Sequence, residues 1–381
     1  MTKFKSGQYK TNLTGSSYNY KSFMPETINK PYKWHDKDIN LLLEKASSNL
    51  SKLNTFALQM PDISFFIKMH VAKEATTSSE IEGTQTNIEE VFIEKENLVP
   101  EKRDDWEEVQ NYIKAMNLAI NKLKDLPLSI RLIKKAHKIL LSGVRGEKKN
   151  PGQIRKTQNW IGGTNINNAN FVPPHPDDLP KLLSDLEKFW HNDKLQLPYL
   201  IKTAISHYQF ETIHPFLDGN GRIGRLTITL YLIDVSILDK PVLYLSHFLN
   251  QNRTKYFQLL SQVRKENNMD QWLKFFLKGV TSTSKKGINT LQKAVNLKRD
   301  YDNLINKKVS SRQKKLSKKA LSYLLSDPIV TVKELSNELG ITFPTANSLL
   351  DALEKLEIVK EITGKQRNRQ FKLKNYIEIF S

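Results

Sequence analysis

Cysteine is absent from all 381 residues, which excludes disulfides and thiolate-bound metals. No apolar run is long enough to cross a bilayer. The first residues, MTKFKSGQYKTNLTGSS, lack the apolar stretch of a secretory signal. A soluble, cytoplasmic setting with no membrane partner is expected. No internal repeat is evident. Acidic residues are scarce beside basic ones, 40 against 59, for a net charge of +19. That balance favours polyanionic partners such as nucleic acid, nucleotides or acidic proteins, although scattered lysines also make a plain solvated surface.

What is present is mostly helical periodicity. Residues 1–34 are polar and aromatic and are expected to wrap the body as an arm. Leu41, Leu42, Leu50, Leu53, Phe56 and Leu58 repeat at helical spacing over 36–59. Pro61 opens a second helical stretch, with Ile63, Phe65, Phe66, Met69 and Val71, that runs into Ser78-Ser79-Glu80-Ile81-Glu82-Gly83, where glycine supplies a stop. Residues 105–142 predict two helices broken around Leu126-Pro127. From 143 to 176 the chain fills with glycine, asparagine and proline. There a β-like pair around Asn159-Trp160-Ile161 and Asn170-Phe171-Val172 flanks Gly162-Gly163-Thr164-Asn165, a hairpin signal. Helices are expected again at 178–192, 197–212 and 224–236.

Lysine-rich residues 285–315 read as a helical connection. Beyond them, helical stretches at 316–325, 332–339 (ended by Gly340) and 342–356 precede a β-rich tail. Ile358-Val359 and Gln370-Phe371-Lys372-Leu373 form that tail, joined by a turn at Gly364-Lys365-Gln366. This order is that of a winged helix-turn-helix. The predicted organisation is an N-terminal helical region (1–100), a core (101–284), a linker (285–315) and a winged helix (316–381).

One segment concentrates the chemistry: His214-Pro215-Phe216-Leu217-Asp218-Gly219-Asn220-Gly221-Arg222-Ile223-Gly224-Arg225. Its glycines satisfy a dinucleotide-loop pattern, but the preceding stretch is helical rather than a strand, so a parallel-sheet reading fails. The glycines let backbone N–H groups approach an anion, and the helix behind them directs its positive end there. A helix–loop–helix turn would explain the glycines alone, but not Asp218, the two arginines and His214. His214 can accept a proton near neutral pH. Asp218 is a hard oxygen ligand suited to magnesium held together with substrate phosphates, or a helix cap.

The twelve residues resemble the signature of the Fic (filamentation induced by cAMP) domain family, His-Pro-Phe-x-Asp-Gly-Asn-Gly-Arg-x-x-Arg, at every specified position. Pro151-Gly152-x-x-Arg155 and the 160–174 stretch resemble the segment with which that family docks targets. Ser246, Asn252, Arg253 and Tyr256 resemble the segment bordering the nucleotide base. Ser78-x-x-x-Glu82-Gly83 resembles the inhibitory motif that some members carry before the core. The implied fold is mainly α: a Fic-type helical bundle with a small β-hairpin flap, plus the C-terminal winged helix.

The implied activity is protein adenylylation, AMP passing from ATP to a Ser, Thr or Tyr hydroxyl of a target protein and of the chain itself. In that scheme His214 is the base and Asp218 holds Mg²⁺. Glu82, His214, Gly219, Asn220, Gly221, Arg222, Ile223, Gly224, Arg225 and Asn252 border ATP. The inhibitory set is Ser78, Glu82 and Gly83 on a helix spanning about 62–83, with a bidentate Glu82–Arg225 pair taking the γ-phosphate's place. Trp160, Ile161, Gly162, Gly163 and Phe171 form the docking flap. Transfer of other phosphate-containing groups is disfavoured by Gly219, where phosphorylating relatives carry lysine. Removal of AMP by the same site, with Glu82 positioning water, stays open.

The resemblance also admits a homodimer. An alternative reading makes the chain a DNA-binding transcriptional regulator whose Fic core senses ATP. Against it, the expected recognition helix carries Asp351, Glu354 and Lys355, while the basic Lys365, Arg367, Arg369, Lys372 and Lys374 lie in the tail. Protein interaction is the other role open to this domain.

Overall fold

The computed structural model describes residues 4–13, 19–34, 36–60, 63–365 and 368–380. Pro61, Gln366 and Arg367 lie outside the described residues. Within the N-terminal region expected to be helical, the arm contains strands instead. Strands β1 (Gly7–Asn12) and β2 (Tyr20–Pro25) pair antiparallel, with Gly7 opposite Pro25 and Asn12 opposite Tyr20. Phe23 donates its N–H to the Val172 carbonyl (2.9 Å), so the arm adds an edge to the stretch expected to form the flap.

Helices α1 (Asp38–Leu58) and α2 (Ser64–Ile81) follow, the second ending where Gly83 takes φ +102°. Glycine alone adopts that backbone without strain. Next come α3 (Arg103–Lys122), α4 (Ile130–Leu140), α5 (Leu179–His191), α6 (Tyr199–Ile213) and α7 (Asn220–Asp234). Nearly every residue of α6 and α7 is buried, so these two form the centre of the bundle and the other helices pack around them. They cross closely because Gly224 has no side chain: a methyl there would lie 2.2 Å from Glu211 Oε1 and 3.2 Å from the Phe210 ring.

Helices α8 (Ser246–Gln251) and α9 (Arg253–Glu266) complete the core. The expected linker proves to be part of the bundle. Residues 285–308 continue a single 40-residue helix, α10 (Met269–Lys308), which packs along α1. Gly287 lies against the Leu53 side chain, and Leu291, Ala294, Tyr301 and Ile305 are buried at helical spacing on the same side.

The C-terminal domain is a winged helix-turn-helix. It contains α11 (Ser311–Ser326), β3 (Ile329–Thr331), α12 (Val332–Leu339), α13 (Phe343–Lys355), β4 (Val359–Glu361) and β5 (Gln370–Leu373). β5 is the central strand, antiparallel to both neighbours, with Val330 opposite Phe371 and Lys360 opposite Lys372. Thr331 and Glu334 form a reciprocal capping box at the start of α12. The domain docks on α2, where Lys68 pairs with Asp327 (2.6 Å). No helix among the described residues is long and apolar enough to cross a membrane.

Candidate active site

The site forms where α6 ends and α7 begins. His214 caps α6 in the left-handed conformation (φ 49°), which turns the chain sharply into Pro215. Arg155, almost fully buried, fixes this turn. Its N–H donates to the Pro215 carbonyl (2.9 Å), its Nε to the His214 carbonyl (2.9 Å) and its Nη2 to the Pro174 carbonyl (2.6 Å). The His214 side chain is left free of those bonds, and its Nδ1 is buried without a hydrogen-bond partner. Burial, then the Arg155 charge, push the imidazole down to about 4, against smaller opposing effects from Glu211 and Glu82. The ring is therefore neutral at pH 7 and able to take a proton.

The loop from 216 to 219 is rigid. Asn220 closes it on itself: its Oδ1 accepts from Phe216 N–H and its Nδ2 donates to the Phe216 carbonyl, both at 2.8 Å. Both ends of this buried amide serve the loop, so Asn220 acts by shaping backbone. Asn159 donates a further bond to the same carbonyl (2.9 Å). Under the loop lies His137, a residue that the sequence reading did not single out. Its ring stacks on Phe216 at 3.7 Å and 8°. Gly152 N–H donates to its Nδ1 (2.8 Å), so the ring proton sits on Nε2 and is donated to the Asp218 carbonyl (2.9 Å).

The expected glycine-rich turn is shorter than the sequence suggested. Only Gly219 is a turn residue (φ +72°), and α7 starts at Asn220. Gly221 sits in the first helical turn. A methyl on it would fall 2.3 Å from Glu82 Oε1, so glycine is what lets that carboxylate reach the N-terminal end of α7. Ile223 is a core residue and Gly224 packs on α6, so neither presents a side chain to the site. Asp218 stands half exposed at the mouth, with Oδ1 accepting from Gly219 N–H (2.6 Å). No group of three His, Cys, Asp or Glu side chains able to hold a metal exists among the described residues.

Both arginines are buried. Arg222 Nη1 donates to Glu108 Oε2 (3.0 Å), and Arg145 holds the other Glu108 oxygen (2.7 Å), while Arg222 Nε is buried without a partner. Glu108, on α3, carried no signal in the sequence. Arg225 Nε donates to Ser78 Oγ (2.8 Å), and its Nη2 donates to the Ser78 carbonyl (2.7 Å) and to Glu82 Oε1 (2.8 Å). The expected bidentate pair is thus a single charge-assisted bond, with Ser78 taking Nε and sharing Nη2. Burial acts to raise the Glu82 carboxyl, but the charge and hydrogen bond of Arg225 outweigh it and hold the group below its ordinary value. Arg253 steadies the end of α2 by donating to the Ile81 carbonyl (3.1 Å).

Ser246 lies far from solvent and bonds Glu74, and Tyr256 is buried with its hydroxyl on His207 Nε2 (2.8 Å). Asn252 precedes α9 without a side-chain capping bond and donates to the Phe248 carbonyl (2.9 Å). The flap residues come together around one antiparallel bridge, Ile161 to Phe171. Gly162 and Gly163 turn the chain at positive φ, leaving Trp160 and Ile161 exposed. Phe171 is instead buried beneath the Arg264 guanidinium, 4.0 Å from the ring centre.

Three family models match this chain: Fic/DOC family N-terminal over residues 40–121, Fic/DOC family over 127–232, and winged helix-turn-helix DNA-binding over 313–360. The second ends beyond the whole His214–Arg225 segment. Residues 40–121 and 127–232 therefore carry the two Fic/DOC family domains. A protein adenylyltransferase Fic of Culex quinquefasciatus is 33% identical over 125 residues, 32% of this chain and 22% of that protein. One of Drosophila erecta is 26% identical over 171 residues, 43% of this chain and 31% of that protein. This Fic-domain chain therefore matches well under half the length of those relatives. Among solved structures, a Fic family protein from Desulfovibrio desulfuricans G20 superposes with a TM-score of 0.58 at 20% identity, covering 91% of this chain and 98% of the other. A Fic domain containing signaling protein from Bacteroides thetaiotaomicron VPI-5482 gives 0.50 at 17% identity, over 67% and 95%. Both likenesses concern the fold.

Proposed function

We propose that the chain is a protein adenylyltransferase held at rest by Glu82. The observation that carries this reading is the position of the Glu82 carboxylate. It lies at the positive end of α7, bonded to Arg225, where a helix N-terminus and a buried guanidinium would otherwise receive a phosphate.

In the active state His214 takes the proton of a Ser, Thr or Tyr hydroxyl. The hydroxyl oxygen bonds to the α-phosphorus of ATP, the bond from that phosphorus to the bridging oxygen breaks, and pyrophosphate leaves. Arg222, whose Nε lacks a partner, and Arg225 face the negative charge of the triphosphate, and the α7 N–H groups add to them. Asp218, half exposed at the mouth, suits Mg²⁺ as a single carboxylate ligand completed by phosphates, and the ion would neutralise phosphate charge. General-base help contributes roughly 10²–10⁴-fold, and positioning contributes the larger part. The exposed edge at Trp160 and Ile161 suits pairing with an extended target segment, which orients a hydroxyl while reading little sequence. The opposite edge is already covered by the N-terminal hairpin.

Intact-mass measurement after incubation with ATP and Mg²⁺ tests the reading. A gain of one AMP in Glu82→Gly, with none in His214→Ala, supports it. No gain in either variant sinks it.

The DNA-binding alternative has the winged-helix match in its favour. Two of its basic tail residues are otherwise engaged: Arg369 bonds Asn347 and Asp351 on α13, and Lys372 pairs with Glu89 and Glu378. The domain fits better as a brace for α2, on which α11 packs.

A further inference from the structure

The inhibitory helix has another lined face. His70, Lys73 and Thr77 lie at helical spacing on α2 and border a cavity of about 250 Å³. The facing wall is one side of α10, where Thr283, Lys286, Thr290 and Lys293 recur three or four residues apart. His247 of α8 and the C-terminal turn at Ile379 and Phe380 close the remaining sides.

Among the described residues, positive charge gathers here without matching acid. Lys73, Lys286 and Lys293 form no ion pair among the described residues. Lys73 donates to the Phe380 carbonyl, and Lys286 to the Gln251 amide oxygen (3.3 Å). The two carboxylates on the wall are already occupied. Glu74 accepts from Ser246 N–H and Oγ and from Tyr112, and Glu378 pairs with Lys372. Burial, then the Lys286 charge, hold Lys73 below its ordinary range, with Glu80 opposing. Burial with Lys73 and Lys286 pushes His247 down to about 4, and burial with Lys73 pushes His70 to about 3. Both imidazoles are therefore neutral donors at pH 7. His70 Nδ1 is buried with no hydrogen-bond partner.

Three ammonium groups, three threonine hydroxyls and neutral imidazoles around a small polar cavity are complementary to a compact multivalent oxyanion. We propose that this cavity binds a small phosphate-bearing anion, which bridges Lys73 of α2 to Lys286 and Lys293 of α10. None of these residues belongs to the His214 segment, so the proposal stands apart from the transferase reading. A bound anion would tie the helix carrying Ser78 and Glu82 more firmly to the bundle, and salt would weaken it.

The test is calorimetric titration of the full chain at low salt with inorganic phosphate, pyrophosphate and AMP in separate arms. The partner is the Lys286→Gln/Lys293→Gln double variant. Both lysines are exposed, so the variant is expected to keep its circular dichroism and thermal midpoint in phosphate-free buffer. The expected result is binding in at least one arm that weakens about tenfold or more in the double variant, with the tightest arm naming the source of the phosphate. Phosphate bound only at the α7 end would show equal affinity in both proteins. That outcome, or no binding in any arm at millimolar concentration, overturns the proposal. If the double variant fails to fold, the ring resonances of His70 and His247 in the wild type decide. They shift on adding the binding anion if the site is real, and unmoved resonances overturn it.

Discussion

Arg225, buried to 1%, donates one hydrogen bond to Glu82, which remains 38% exposed at the end of α2. The asymmetry matters. The arginine cannot leave the core, whereas the glutamate can swing away into solvent and free its place. Ser78 holds the guanidinium in either case, through its hydroxyl and its carbonyl. In the proposed switch Glu82 is therefore the part that moves, and Ser78 sets the position of its partner.

That division of labour predicts the effect of Ser78→Ala. Removing the hydroxyl leaves Arg225 Nε unpaired in the core, at a cost of roughly 1–3 kcal/mol. Chemical denaturation should show this loss. AMP labelling should rise above wild type but stay below Glu82→Gly, because the Glu82 bond persists. Unchanged stability would mean that Ser78 does not hold the arginine.

His137 should matter as much as the motif it supports. His137→Ala removes the stack on Phe216 and the bonds to Gly152 and Asp218, with an expected stability loss of roughly 2–4 kcal/mol. In a Glu82→Gly background its labelling rate should fall at a temperature where the protein is still folded. A rate equal to that of the single variant would show that the clamp has no part in positioning the loop.

Glu211 predicts a pH dependence of stability. Burial raises its carboxyl from 4.5 to about 7, with Arg225 opposing. A carboxyl raised on folding contributes stability that is complete below about pH 4.5 and is lost as pH climbs through 7. The loss approaches about 3 kcal/mol for a shift of this size. Denaturation at pH 5 and pH 8 should show wild type losing more stability than Glu211→Gln. Glu74, pushed up to about 7 by its own burial, adds a loss of the same sign to both proteins. Equal losses in the two proteins would contradict the assignment.

The C-terminal domain should bind DNA poorly. With Arg369 held by Asp351 and Lys372 by Glu89 and Glu378, the full chain is expected to leave a duplex unretarded in a gel-shift at physiological salt. A salt-sensitive shift would favour the regulator reading instead.

Much of this architecture could be read from the chain. The helix expected at 332–339 is α12, with the same bounds, because Thr331 caps it and Gly340 ends it. The arginines stood out through their place in the His214–Arg225 segment, whereas Glu82 was singled out only by the resemblance of Ser78–Gly83 to the Fic inhibitory motif. The start of α7 was misplaced because Asn220 and Gly221 are turn formers locally. Only the approach of Glu82, more than a hundred residues away, explains a glycine inside the helix. The helix expected over 285–315 is found as the last part of α10, but its lysines hid the buried Leu291, Ala294, Tyr301 and Ile305. Glu108 and His137 act through partners 114 and 81 residues distant, so no local pattern marks them.

The central claim is that Glu82 on Arg225 silences a complete transferase. The most direct test incubates wild type, Glu82→Gly and His214→Ala with α-labelled ATP and Mg²⁺, alone and with cell lysate. The account predicts weak self-labelling in wild type, roughly 10²-fold faster labelling in Glu82→Gly, and none in His214→Ala. Equal labelling of all three would contradict it.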